Sequence, residues 1–207
     1  MLMYFHDIIN KYGRPSGVIH IGAHLMEERN DYLSAGIHDL IWIEANEKIC
    51  KQNVKTHNLF EKEHQFNHAM SDVDDQEIEF KITNNGQSSS ILDLDKHKIH
   101  HPHIYVTDVI NLKTKRFDTL VKEHNIDMQK YNFINIDIQG AELLALKGFG
   151  KLLKYIDYIY AEVNTASLYK DCALISEMDE YLSDFTRKET VMTSSEWGDA
   201  FYTRNKE

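Results

Sequence analysis

The sequence predicts an open α/β sheet with right-handed crossovers. Two observations carry this: short apolar runs rich in β-branched and aromatic residues recur along the chain, and amphipathic helical patterns alternate with them. A third concerns its extent. Only Pro15 and Pro102 punctuate the 207 residues, and no repeat or low-complexity linker divides them, so a single domain over 1–207 is expected.

The start, MLMYFHDIINKYG, places Leu2, Phe5, Ile8 and Ile9 at helical spacing and predicts an amphipathic first helix within 1–13. His6 and Asp7 interrupt its apolar face, unlike the unbroken core of a signal peptide. GVIHIG (17–22) is the first strand; a helical segment over 27–35 ends at Gly36. LIWIEA (40–45) follows, then a helix over 47–57 and a strand at QFNHAM (65–70). NFINIDI (132–138), after a helix over 116–125, and DYIYAEV (157–163) complete the strands that read as buried on both faces. Between them GAELLALKGFGKLLKY (140–155) has a broad apolar helical face, with Gly148 and Gly150 as possible breaks.

The region 76–112 departs from this rhythm and reads as an insertion near the functional edge. EIEFKIT alternates with period two, IYVTDVINL reads as a strand, and the polar loop 84–103 lies between them. FTRKETVM and EWGDAFYTRN predict a terminal hairpin.

Composition narrows the partners. Lys plus Arg number 23 against 33 Asp plus Glu, a net charge of −10, which disfavours a nucleic-acid binder. NLKTKRF is the one modest basic candidate. No apolar run approaches membrane-spanning length, so no membrane partner is expected. Cys50 and Cys172 match no zinc or CxxC spacing and predict reduced thiols in a cytoplasmic setting. The oligomeric state is left open.

In such sheets a ligand sits at the carboxyl ends of the strands. Gly22 and Ala23 let the backbone pass close to a ligand, and the helix start beyond them offers free N–H groups. Glu44 lies 22 residues after Gly22, about the spacing of an acid that grips ribose hydroxyls. No GxxxxGK[ST] exists, and His24, Leu25 and Met26 leave no GxGxxG for a pyrophosphate. S-adenosylmethionine, which carries no phosphate, is compatible with this loop. So is a glycine that merely turns a strand into a helix.

FDTLVKEHNIDMQKYNFINIDIQGAELLALKGFG, with GAHLMEE, IWIEAN, AMSD, SSSIL, YAEVN and GDAFY in order, resembles the FkbM-type S-adenosylmethionine-dependent methyltransferases over residues 17–204. The resemblance implies a Rossmann-like class I methyltransferase fold, a mostly parallel seven-stranded sheet with an antiparallel C-terminal hairpin. It implies O-methylation, commonly of a hydroxyl on a sugar or natural product. It also places Gly22, Ala23 and His24 at the methionine end of the cofactor and Glu44, with neighbouring Ala45, at the ribose. Ala69 to Asp72, including Ser71, would lie beside the adenine. Two departures stand out: Gln139 where the family usually has Glu, and Met26 where a glycine is frequent.

An alcohol is a poor nucleophile while protonated, so a base or a metal must assist it. Asp137 and Glu162 end neighbouring strands and are the catalytic candidates, with Asp137 also beside the cofactor. Asn164 joins them as a possible oxygen site for Mg²⁺ or Mn²⁺. Both acids could instead cap the turns that follow them, and Glu142 reads as such a cap. Ser88, Ser89, Ser90, Gln139 and His101 are candidates to bond acceptor hydroxyls; a solvated loop is the competing reading for the serines. His97, His100, His101 and His103 invite zinc, but no fourth ligand has suitable spacing. The expected activity is O-methylation of a sugar hydroxyl. Rivals are a small non-sugar metabolite as acceptor, an inactive binding module for S-adenosylmethionine or a glycan, and, third, an oxidoreductase.

Overall fold

The computed structural model describes residues 1–205. Its main sheet contains β1 (Gly17–Ile21), β2 (Asp39–Ile43), β3 (Glu63–Phe66), β7 (Phe133–Ile136), β8 (Tyr158–Asn164), β9 (Phe185–Met192) and β10 (Trp197–Arg204). Their order is β3-β2-β1-β7-β8-β10-β9. The first five run parallel and β10 pairs antiparallel with both β8 and β9, the architecture expected from the sequence. A second, three-stranded sheet, β4 (Ala69–Met70), β6 (Val106–Lys115) and β5 (Glu77–Thr83), is built from the inserted region and the strand before it.

Period-two alternation on β1 and β2 divides the core into two faces. Ile19, Ile21, Ile41 and Ile43 pack with Phe117, Leu120 and Phe149 on one side. Val18, Leu40 and Trp42 pack with Phe5, Ile8 and Tyr32 on the other. Full burial of side chains this large contributes roughly 1.5–3 kcal/mol each. The helices that supply these contacts are α1 (Phe5–Tyr12), α2 (Arg29–Ser34), α5 (Phe117–His124) and α6 (Glu142–Lys147). The second Cβ face of β1 also carries His20, buried against Trp42 and bonded through Nδ1 to the Tyr32 hydroxyl.

Three expectations need correction. The run 65–70 is not one strand. The Asn67 side chain donates to the carbonyls of Glu44 and Ala45 at 2.8 and 2.9 Å, and the chain leaves the main sheet there to form β4 in the other one. The helix over 140–155 stops at Lys147 and resumes as a 3-10 turn over Gly150–Tyr155. Gly148 lies against the Ser71 carbonyl, where a Cβ would stand 2.2 Å away. The polar loop 84–103 is pinned by bridges between Lys81 and Ser90 and between Leu94 and Tyr169, and holds α4 (His97–His100).

The ends of β1 and β7 set the position of everything beyond them. Asp137 donates its N–H to the Ile21 carbonyl at 3.0 Å, while Gly22 and Ala23 both donate to the Ile43 carbonyl of β2. Gly22 has φ +85°, and a Cβ there would lie 1.8 Å from the Asp137 carbonyl oxygen. Gly22→Ala is therefore expected to destabilise the fold by about 2–4 kcal/mol, read as a lowered urea midpoint.

Candidate active site

The site forms at the carboxyl ends of β1, β2, β7 and β8. Beyond Gly22 the chain turns through His24 (φ 39°) and Met26 (φ 58°), two left-handed positions without glycine. The second explains why glycine suits that place, and here burial of the Met26 side chain opposes the strain. Glu44 organises the turn: its carboxylate accepts from the N–H of His24 at 2.9 Å and of Asn46 at 2.8 Å. Burial pushes its pKa up and these amides pull it down, with burial the larger effect. Asn46 caps α3 (Glu47–Thr56) by accepting from Lys48 N–H.

Two cavities meet here. A cleft runs between Gly22, His24, Glu44, Ala45 and Asn46 on one side and His68, Ala69, Met70 and Phe80 on the other. Next to it lies a chamber of about 510 Å³. Gly22, His24, Gln87, Asp137 and Gln139 line both. Asp137 is surrounded by protein yet accessible, because the cavities reach it.

Gln139 ties the acids together. Its amide nitrogen donates to Asp137 Oδ1 at 2.7 Å and to Glu162 Oε2 at 2.8 Å, and its oxygen accepts from the Tyr169 hydroxyl. Glu142 accepts from the N–H groups of Ile138 and Gly140 at 2.9 and 3.0 Å, the cap expected of it. Burial, with the charges of Asp137 and Glu142 added, raises Glu162 well above the usual carboxylate range. Burial also raises Asp137, but the Gln139 amide offsets part of the effect. Burial thus favours the protonated form of Glu162 more strongly than that of Asp137.

The predicted residues divide accordingly. Gly22, His24, Glu44, Ala45 and Asp137 line the cleft; Ala23 is fully buried in the core and does not. Ser71 and Asp72 lie outside both cavities. The Ser71 carbonyl packs on Gly148 and the Asp72 carbonyl accepts from Arg116, so His68 to Met70 form the wall in their place. Ser89 lines the cleft, and Ser88, Gln139, Glu162 and His101 line the chamber. Ser90 lines neither, since its hydroxyl is spent on the Gln139 carbonyl and Leu92 N–H.

The metal trio Asp137, Glu162 and Asn164 is not assembled. Asn164 shares a strand face with Glu162, but it is fully buried opposite Trp197 and absent from the chamber wall. The third oxygen donor near Asp137 and Glu162 is Glu142, all within 4.8 Å. Gln139 and backbone N–H groups already bond to these three carboxyl groups. The histidines form no comparable cluster among the described residues.

Several chamber residues went unrecognised in the sequence: Asn135, Tyr160, Tyr169 and Asp199. Asp199 is a charged residue inside an apolar strand, and Tyr160 stands two residues before Glu162 on one face. Those were the available signals.

Residues 20–189 match the family model of the methyltransferase FkbM domain. No curated protein sequence matches the chain. Among solved structures, M. capricolum TrmK in complex with S-adenosyl-homocysteine is similar with a TM-score of 0.50 and 9% identity, over 100% of this chain and 70% of that one. The Burkholderia thailandensis 1,6-didemethyltoxoflavin-N1-methyltransferase, with bound 1,6-didemethyltoxoflavin and S-adenosylhomocysteine, gives 0.52 and 9%, over 97% and 76%. An uncharacterized protein from Listeria monocytogenes serotype 4b gives 0.51 and 9%, over 99% and 69%. At these identities the likeness is one of fold.

Burial lifts Glu142 from an ordinary 4.5 to about 7. Its contribution to stability is complete below the unfolded value and is lost as pH rises through the folded one. The thermal midpoint should fall between pH 5 and 8. Glu142→Gln keeps an oxygen for the Ile138 and Gly140 amides and should flatten that fall, recovering on the order of 3 kcal/mol at pH 8. Equal slopes in the two proteins would refute this.

Proposed function

The chain belongs to the FkbM methyltransferase family, and from that premise we propose that it is an S-adenosylmethionine-dependent O-methyltransferase for a sugar hydroxyl. The observation that carries this is the place of Asp137: an acidic side chain at the meeting point of a cleft suited to the cofactor and a polar chamber suited to the acceptor.

The donor set of the cleft fits a cofactor without phosphate. No lysine or arginine among the described residues lines it, so nothing there would balance a pyrophosphate. Glu44 is placed to take ribose hydroxyls, while Ile43, Ile49, Met70, Phe80 and Ile138 offer apolar surface to a flat base. Gly22 and His24 bring backbone close to the amino-acid end. When bound, S-adenosylmethionine supplies a methyl group on a positively charged sulfonium.

Asp137 then serves as the base. Its free oxygen accepts the proton of an acceptor hydroxyl, which leaves the alcohol oxygen able to attack. Gln139 holds Asp137 in place through one N–H and Glu162 through the other, and burial raises Glu162 the more strongly, which favours Asp137 as the acceptor. Positioning does the rest, since two cavities sharing one wall hold their occupants in line. Asn85, Gln87, Ser88, Asn135, Tyr160 and Tyr169 surround the chamber with alternating donors and acceptors, which suits a ring of hydroxyls better than an apolar molecule.

Asp137→Asn preserves shape and removes the base. Methyl transfer from labelled cofactor to a responsive sugar should drop about 10²–10⁴-fold. S-adenosylhomocysteine affinity, measured by calorimetry, should change less than about tenfold, or 1.4 kcal/mol. Because burial raises Asp137 from its ordinary value, the acid limb of the rate profile should lie at higher pH than a free aspartate would give. Wild-type turnover in the variant removes Asp137 from this role.

A further inference from the structure

The acidic lining of the chamber has a consequence for its acceptor. Five carboxylates line the wall: Glu27, Glu28, Asp137, Glu162 and Asp199. No lysine or arginine among the described residues does, and the Met1 ammonium on the same wall lies 3.7 Å from Glu28. The histidines do not balance these acids. Burial lowers His20, and burial together with neighbouring histidines lowers His97 to about 4 and also lowers His101. His24 is raised, but its partner is Glu27, at 2.7 Å.

Asp199 is the most telling member. It is 4% exposed and lies directly opposite Glu162 in the β8–β10 register, so two acidic side chains meet across the strands. Its carboxylate accepts from the Tyr160 hydroxyl and the Leu2 N–H, both neutral donors. Its charge also reaches Asp137, whose carboxyl it helps to raise. A packed strand has no structural use for such a pair.

Resting on the methyltransferase reading above, we propose that the chamber admits acceptors without negative charge, neutral or amine-bearing sugars, and that Asp199 is the residue that excludes phosphorylated and carboxylated ones. An anionic group in this chamber would face more carboxyl groups than cations, which disfavours a further negative charge. Hydroxyls and ammonium groups would find acceptors instead.

The test uses the full chain and ligand-observed NMR titrations with methyl glucoside, glucosamine, glucose 6-phosphate and glucuronate. The first two should bind at least about tenfold more tightly than the last two at low salt. Asp199→Asn should shrink that ratio, and Glu28→Gln, on the more open wall, should shrink it less but in the same direction. Thermal unfolding checks that each variant is folded; if Asp199→Asn is not, Glu28→Gln carries the comparison. Anionic sugars binding as well as neutral ones would overturn the proposal. So would an unchanged ratio in the folded variants, or no binding by any of the four. A parallel titration with S-adenosylhomocysteine keeps the two readings apart: its failure removes the proposed cofactor, while the charge ranking is read without cofactor.

Discussion

The carboxyl edge of the sheet depends on one contact, between Gly22 and the backbone of Asp137. Parallel pairing brings β1 and β7 together from Val18 and Phe133 to Ile21 and Ile136. At the next residue the two chains are so close that no Cβ fits between them. Beyond it they separate. Gly22 and Ala23 bond toward β2, while Asp137 remains on β1. This is where the strand order reverses direction, and a crevice opens at such a place because adjacent crossovers leave on opposite faces. The contact aims the Asp137 carboxylate into that crevice, from which both cavities extend.

The same arrangement concentrates acids that the fold must support. Asp137, Glu142, Glu162 and Asp199 would be unfavourable together in an apolar interior. Each has a specific remedy. Glu142 lies on two backbone N–H groups, Asp137 and Glu162 share the Gln139 amide, and Asp199 has Tyr160. The remaining electrostatic strain appears as raised pKa values, most strongly at Glu162. Large packed cores on both sheet faces make that strain tolerable. These acids therefore read as retained for chemistry and recognition, since hydrophobic replacements would pack the same strands without strain.

Much of the fold was legible because strands buried on both faces must be nearly continuous apolar runs. GVIHI, DLIWI, FINI and YIYAEVN need little context to be recognised. QFNHAM was not, because its break depends on Asn67 reaching carbonyls more than twenty residues away. That departure also explains Ser71 and Asp72: once β4 leaves the main sheet, the residues after it no longer face the cleft. Gly22, Glu44, Asp137 and Glu162 could be read as strand-end residues with motif spacing. Asp199 could not, since nothing local says that β10 inserts between β8 and β9. Asn164 shows the limit of alternation. Period two put it on the correct face of β8, but the covering Trp197 comes from a strand distant in sequence.

Gln139 is the residue whose meaning the structure changes most. Read against a family that usually places Glu there, it suggests a missing charge and a weakened site. In the fold it occupies a left-handed position, φ 58°, held by the Ser90 hydroxyl on its carbonyl. From there one amide nitrogen reaches two carboxylates at once. A glutamate in the same place would bring a further negative charge against Asp137, Glu162 and Glu142, and a cation or additional protons would be needed to balance it. The amide supplies two donors and no charge. It bridges the two acids through hydrogen bonds alone, with groups the chain itself provides.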